Sequence, residues 1–192
     1  TIYDAGLILE VIAGYDINDN TSSTKKIENF SQIPVFKKQK KVAYLSECIN
    51  REGLSSDIKN RFSTITDNLK RKNHIVEEVS FPYLDFLVPT YYVITTAEAS
   101  SNLARYDGVH YGYRSKNISD LESTYINSRT EGFGLEVKRR IMLGTFVLRS
   151  GYSDEYFTKA QKIRKIIQEK TNEILQEYDF LISPTTPHTA FR

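Results

Sequence analysis

Two stretches of the chain gather side chains suited to recognition chemistry. Residues 105–114, RYDGVHYGYR, place three tyrosines, two arginines and a histidine around Gly108 and Gly112. Tyrosine and arginine are enriched at recognition surfaces, where tyrosine supplies contact area at little entropic cost. Glycine opens backbone angles that other residues avoid, so the rings can fan outward from a tight path. The sequence thus predicts a partly exposed loop near a substrate mouth or a subunit surface. The plainer alternative is that Tyr106, Tyr111 and Tyr113 only cover a helix end.

The second stretch is VKRR at 137–140, which leads directly into the apolar run Ile141–Leu148. Neighbouring residues on a helix point about 100° apart. At most one of Arg139 and Arg140 can therefore face a site together with the apolar side. A guanidinium at such a boundary can hold a carboxylate in a two-pronged fork. A structural ion pair is the competing reading.

Other chemistries find little support. His74, His110 and His188 lie far apart and lack metal-ligand spacing. There is no Gly-x-Gly-x-x-Gly and no Walker A pattern, and EGFGLE reads as punctuation between helices. Cys48 has no local nucleophile signature, and no Gly-Gly pair occurs anywhere in the sequence. The basic runs FKKQKK (36–41) and LKRKNH (69–74) sit at element ends, where solvated lysines are ordinary.

Composition narrows the class. The 192 residues are 40% hydrophobic, enough for a core, and the net charge of +2 argues against electrostatically driven nucleic-acid binding. A single cysteine excludes an internal disulfide and fits a reducing compartment. No apolar run approaches the roughly 20 residues of a membrane span, so no membrane partner is expected.

The elements that must position these side chains follow from periodicity. Residues 2–13 read as a helix ended by Gly14, with Leu7, Ile8, Val11 and Ile12 on an apolar face. KKVAYLSE (40–47) reads as a buried strand. A helix capped by Ser55 or Ser56 runs to about Lys72, with Ile58, Phe62, Ile65 and Leu69 inward. HIVEEVSFP gives a second strand, so strand, helix and strand form a βαβ unit with parallel strands. The chain is then mostly helical. Pro89 suits the first turn of a helix over 90–104. Residues 119–131 form a polar helix behind Ser119, and residues 135–148 a helix whose apolar end is buried. Ser153 caps a long helix to about Tyr178, with Phe157, Ala160, Ile163, Ile167, Ile174 and Tyr178 as its stripe. DFLIS reads as a third strand. Starting inside a helix with no initiator Met, the chain reads as an excised piece of something longer.

Three segments carry a resemblance: AEASSNLARYDGVHYGYR, SRTEGFGLEVKRRIMLGTFVLRSGY and LISPTTPHTAF. With DAGLILEVIAGYDINDNTS and the βαβ unit, they resemble the amidase signature family over essentially all 192 residues. Within it they are similar to the glutamine-hydrolysing A subunits of tRNA-dependent amidotransferases. The resemblance implies an α/β fragment of the amidase signature fold, a central mixed β-sheet covered by helices. It implies that residues 1–192 are a single fragment without the upstream Gly/Ser-rich signature, which in the family carries a Ser–cis-Ser–Lys triad. It also places them before the C-terminal part.

By resemblance the parent enzyme hydrolyses glutamine and passes ammonia on to convert Glu-tRNA(Gln) to Gln-tRNA(Gln), or Asp-tRNA(Asn) to Asn-tRNA(Asn). The implied partners are subunits B and C, mischarged tRNA and glutamine, with ATP and Mg used by the whole complex and none bound by this piece. The implied location is cytoplasmic or organellar. No catalytic residue carries over, and the piece alone is expected to be inactive. Tyr91 and Arg140 align with family positions that contact the substrate amino acid, Arg140 at its α-carboxylate. His110 departs from the arginine usual in the family. Rival readings are another amidase signature hydrolase of small amides, or a non-catalytic protein- or RNA-binding module docking through 105–114.

Overall fold

The computed structural model describes residues 1–32, 36 and 38–190. The run at 36–41 and the end of LISPTTPHTAF therefore lie partly outside the described residues. The chain forms two compact units, residues 1–40 and 41–192.

In the first unit, α1 (Ile2–Ile12) begins with a capping box: the Thr1 hydroxyl accepts the Asp4 N–H, and the Asp4 side chain bonds back to the cap. The helix is fastened through small and polar residues. Gly6 is buried, and a methyl there would lie 2.6 Å from the Phe30 carbonyl oxygen. The Ser31 N–H donates to Glu10 at 2.6 Å. The expected apolar face is not buried, since Ile8, Val11 and Ile12 are all well exposed.

The second unit is built on a three-stranded parallel sheet. Its strands are β1 (Lys41–Leu45), β2 (Ile75–Val79) and β3 (Phe180–Ile182), ordered β2-β1-β3. Central β1 pairs from Lys41↔Ile75 to Leu45↔Val79 on one side and from Val42↔Phe180 to Tyr44↔Ile182 on the other. Val42, Ala43, Leu45 and Val76 are buried, as fits an apolar central strand covered on its faces. The short α2 (Ser46–Ile49) follows β1. The crossover helix α3 (Ser56–Arg71) starts where Ser55 accepts the Ile58 N–H. It packs Phe62 edge-on against Tyr44, with centroids 5.6 Å apart. The expected βαβ unit with parallel strands is thus present. One detail of α3 differs: its buried face runs through Phe62 and Thr66, while Ile65 stays 45% exposed. Thr66 can take the inner position because its hydroxyl donates to the Ser63 carbonyl.

The helical section comprises α4 (Leu84–Leu103), α5 (Leu121–Gly132), α6 (Leu135–Leu148), a π-helical turn (Asp154–Thr158) and α7 (Lys159–Glu177). Four expectations change here. Pro89 lies inside α4 rather than in its first turn, because the helix already starts at Leu84. Phe81 is buried just before that earlier turn, and Asp85 within it pairs with Arg51 at 2.9 Å. α5 is capped by Asp120, not Ser119. Its carboxylate accepts the Ser123 N–H while the Ser123 hydroxyl accepts the Asp120 N–H. Ser153 makes no side-chain cap: it already has helical angles, and the Thr158 N–H reaches its carbonyl across the π-turn. Finally, the apolar end of α6 is only partly buried. Gly144 and Val147 face inward, but Met142 is 74% exposed, and Leu143, Phe146 and Leu148 are also exposed.

Candidate functional site

Helices α4 and α6 lie side by side. Arg140 lies over the Tyr92 ring, a methyl at Gly144 would overlap the Thr96 carbonyl, and the Ser100 hydroxyl lies 3.0 Å from that of Thr145. These pairs advance together along both helices, so α4 and α6 run in the same direction. Their contact is made by small residues. Thr96, Ala97 and Gly144 are buried, and Thr96 satisfies its hydroxyl by donating to the Tyr92 carbonyl. Without a side chain at Gly144 the backbones approach closely, and this approach lets side chains one turn earlier on the two helices meet.

That meeting brings Tyr91 and Arg140 together. Arg140 lies over the Tyr92 ring, whose edge-to-face neighbour is Tyr91; Tyr91 first, with Glu136 adding and burial opposing, holds the guanidinium above its ordinary pKa. The guanidinium carbon lies 5.7 Å from the Tyr92 ring centroid, within cation–π range. Tyr91 and Tyr92 meet edge to face at 5.6 Å. The Arg140 Nε–H donates to Glu136 at 3.0 Å, and the other Glu136 oxygen is 3.7 Å from Arg139. The Arg140 side chain is 34% exposed, against 68% for Arg139. The two arginines thus divide as the helix geometry requires, Arg140 toward α4 and Arg139 toward solvent.

The ion-pair alternative is also realised, because Glu136 binds both arginines. Its value for stability is small, as it is for exposed pairs one helical turn apart in general. Two guanidiniums against one carboxylate leave a net positive charge beside an exposed tyrosine hydroxyl. Such an arrangement can accept a carboxylate and a polar group of one small molecule. Sequence reasoning missed Tyr92 and Glu136. The signal for Glu136 was in plain view, since a glutamate four residues before an arginine pairs on a helix face.

The 105–114 loop is a fixed structure with exposed rings. Gly108 and Gly112 both adopt φ +82°, and a methyl at Gly108 would overlap the Ser128 hydroxyl. Asp107 accepts the backbone N–H groups of Val109 and His110 and pairs with the His110 ring at 2.7 Å. These bonds, from the His110 backbone and ring first, hold the Asp107 carboxyl far below its ordinary value. Arg129 of α5 donates to the carbonyls of Leu103 and Tyr106, and the Ser128 hydroxyl accepts the Ser115 N–H. Tyr106, Tyr111 and Tyr113 are 43%, 62% and 54% exposed, so the expectation of partial exposure holds. Proximity to Tyr91 does not follow. The loop leaves α4 after Leu103, and at 1.5 Å per residue that end is about 18 Å from Tyr91.

Two other features lie apart from Tyr91 and Arg140. Burial, with the nearby Glu47 charge, raises the Cys48 thiol, so it is not an activated nucleophile. A groove of about 680 Å³ between Ser100, Ile141, Thr145 and Phe146 is largely apolar and excludes both Tyr91 and Arg140. Among the described residues no group of His, Cys, Asp or Glu could hold a metal, and no helix is long and apolar enough to cross a membrane.

Known proteins share this architecture and sequence. The A subunit of the glutamyl-tRNA(Gln) amidotransferase of Halothermothrix orenii is 46% identical over all 192 residues, which correspond to 40% of its own length. The protein of the same name from Staphylococcus aureus is 46% identical over 191 residues, 99% of this chain and 39% of that protein. The crystal structure of the corresponding Thermotoga maritima protein, again the A subunit of a glutamyl-tRNA(Gln) amidotransferase, superposes with a TM-score of 0.67 at 36% identity, covering 100% of this chain and 37% of that one. The chain thus spans about 40% of the length of the curated relatives it matches. The Amidase family model matches residues 1–192 without remainder, and on that match, with the α/β fold already described, the chain belongs to the amidase family.

Proposed function

We propose that residues 1–192 are an internal portion of the glutamine-hydrolysing subunit of a tRNA-dependent amidotransferase, and that Tyr91 and Arg140 form part of its glutamine pocket. The observation that carries the pocket is that Arg140 of α6 comes up against the Tyr91–Tyr92 pair of α4. In this reading the Arg140 guanidinium pairs with the α-carboxylate of glutamine, and the Tyr91 hydroxyl lies beside it to bond a second polar group. By the family resemblance, the hydrolytic Ser–Ser–Lys triad belongs to another part of the enzyme, which would supply the activated nucleophile that covalent catalysis needs. The ammonia released would serve the amidation of glutamyl- or aspartyl-tRNA in a complex with subunits B and C, which uses ATP and Mg. The cytoplasm or an organelle would be its location. The 46% identity to proteins that carry this name supports the reading.

The test is kinetic and uses the full-length protein. Arg140→Lys keeps the charge and loses the fork. Losing a charge-assisted hydrogen bond costs about 1.5–3 kcal/mol, so the KM for glutamine is expected to rise roughly ten- to a hundredfold. Arg139→Lys should change it little. Equal small effects at both positions would reduce Arg140 to its ion pair with Glu136.

A further inference from the structure

We infer that Glu136 and Tyr92 are positioning residues, which fix the Arg140 guanidinium so that its two terminal nitrogens face a substrate carboxylate. The inference rests on the glutamine-pocket reading above. A guanidinium can offer a carboxylate either of two forks, one using both terminal nitrogens and one using Nε with a terminal nitrogen. Glu136 occupies Nε at 3.0 Å, so the Nε fork is already taken. The guanidinium is also drawn toward Tyr92, whose ring centroid lies 5.7 Å from the guanidinium carbon, within cation–π range. The terminal nitrogens carry no carboxylate partner, since Glu136 is bonded at Nε, and they are the edge left for a substrate carboxylate.

Charge argues in the same direction. Alone, Glu136 would neutralise Arg140 and weaken its hold on an anion. Here its second oxygen is 3.7 Å from Arg139, so one carboxylate is shared between two cations. The group keeps one net positive charge, matched to one carboxylate. Arg139 then serves to balance Glu136, which accounts for a cation that faces away from α4. Long arginine side chains lose substantial rotamer freedom when held, and here that ordering is done before the ligand arrives, which favours binding.

The experiment measures glutamine hydrolysis by the full-length protein with its partner subunits. Glu136→Ala removes the Nε partner at an exposed helix position where alanine is a good helix former. It is expected to raise the KM for glutamine about fivefold with kcat unchanged, as lost orientation does. Glu136→Gln keeps an acceptor for the Nε–H and should recover most of that loss. Tyr92→Leu keeps apolar bulk and should raise KM about threefold, the scale of an exposed cation–π contact. Both effects should vanish in an Arg140→Met background, and with 4-aminobutanamide, which is glutamine without its α-carboxylate. If Arg140→Lys itself leaves KM unchanged, the pocket reading fails. If Arg140→Lys raises KM but Glu136→Ala does not, or if Glu136→Ala acts equally in the Arg140→Met background, the positioning role is overturned and the pocket stands.

Discussion

The sheet and the α4–α6 pair solve the problem of packing in opposite ways. Around β1, apart from Ala43 in the strand itself and Thr66 of α3, the buried residues are large or branched and apolar, Val42, Leu45, Val76 and Phe62, with little of each left to solvent. Between α4 and α6 the buried residues are Thr96, Ala97, Gly144 and Val147, while Phe86, Val88, Met142 and Leu143 face outward. The first region is held by apolar area, the second by closeness of backbones. The second is also the one that brings Tyr91 and Arg140 together. A contact made of small residues fixes two helices with little tolerance, and a recognition pair needs such tolerance to be small.

The sharpest way to break this contrast is to add one carbon. Gly144→Ala should gain about 1 kcal/mol in helix propensity. Its methyl, however, would overlap the Thr96 carbonyl and sit 2.6 Å from the Ser100 Cβ, and backbone cannot rotate aside as a side chain can. Overpacking of this kind costs typically about 1–3 kcal/mol and occasionally more. With the clash against backbone at the upper end of that range, a net loss of about 2 kcal/mol or more by denaturant unfolding is expected, and a neutral result would show that the helices can slide apart freely.

In the sheet the damaging change is the reverse, removal of carbon. Val42→Ala deletes two buried methyl groups from the central strand, where Val42 is 3% exposed. Transfer and cavity terms together predict a loss of about 2 kcal/mol. A loss below about 0.5 kcal/mol would mean that the sheet is not the apolar anchor described.

A weaker effect separates the regions by pH. Tyr178 donates to Glu77 of β2 at 2.8 Å, and this bond, with burial adding, pushes its pKa up to about 12. A free tyrosine titrates near about 10. The folded state thus holds its proton more tightly, so the contribution is complete below about pH 10 and is lost as pH rises toward about 12. Melting temperatures across that window should fall faster for the native chain than for Tyr178→Phe. Parallel curves would remove the bond from the account. The smallest effect is expected at Met142→Ser, 74% exposed on α6, which should shift stability by less than about 0.5 kcal/mol. A larger loss would show that the outer face of α6 is packed after all.

This division also governs what could be read from the sequence. The sheet region was legible because its signals are local: Ser55 as a cap, two apolar runs, and a helix between them that requires parallel strands. Even there Thr66 displaced Ile65, since a hydroxyl that bonds its own helix backbone can be buried as readily as a methyl. The helical region misled because its signals are relational. Pro89 has the φ of a helix and reads as a start, but the turn before it follows Phe81, which is buried and lies outside the helix. The apolar end of α6 reads as core, yet which of its residues turn inward depends on where Gly144 meets α4. The proximity of Tyr91 to Arg140 has no local signal at all; only the family resemblance pointed to the pair. Glu136 did have one, the spacing to Arg140, and it was the part of the site within reach of sequence reasoning.

The glycine at 144 has one more consequence, for how this region can change over time. The registration of α6 on α4 is set most tightly at their point of nearest approach, where Gly144 meets Thr96. Residues 104–134 can therefore gain or lose length at their exposed turns without moving Arg140 relative to Tyr91. The close fit of Gly108 against Ser128 closes this span on itself, so an insertion at 116–119 would be absorbed locally. Such a layout lets the connecting surface diversify, to suit whatever neighbour it meets, while the paired helices keep their alignment unchanged.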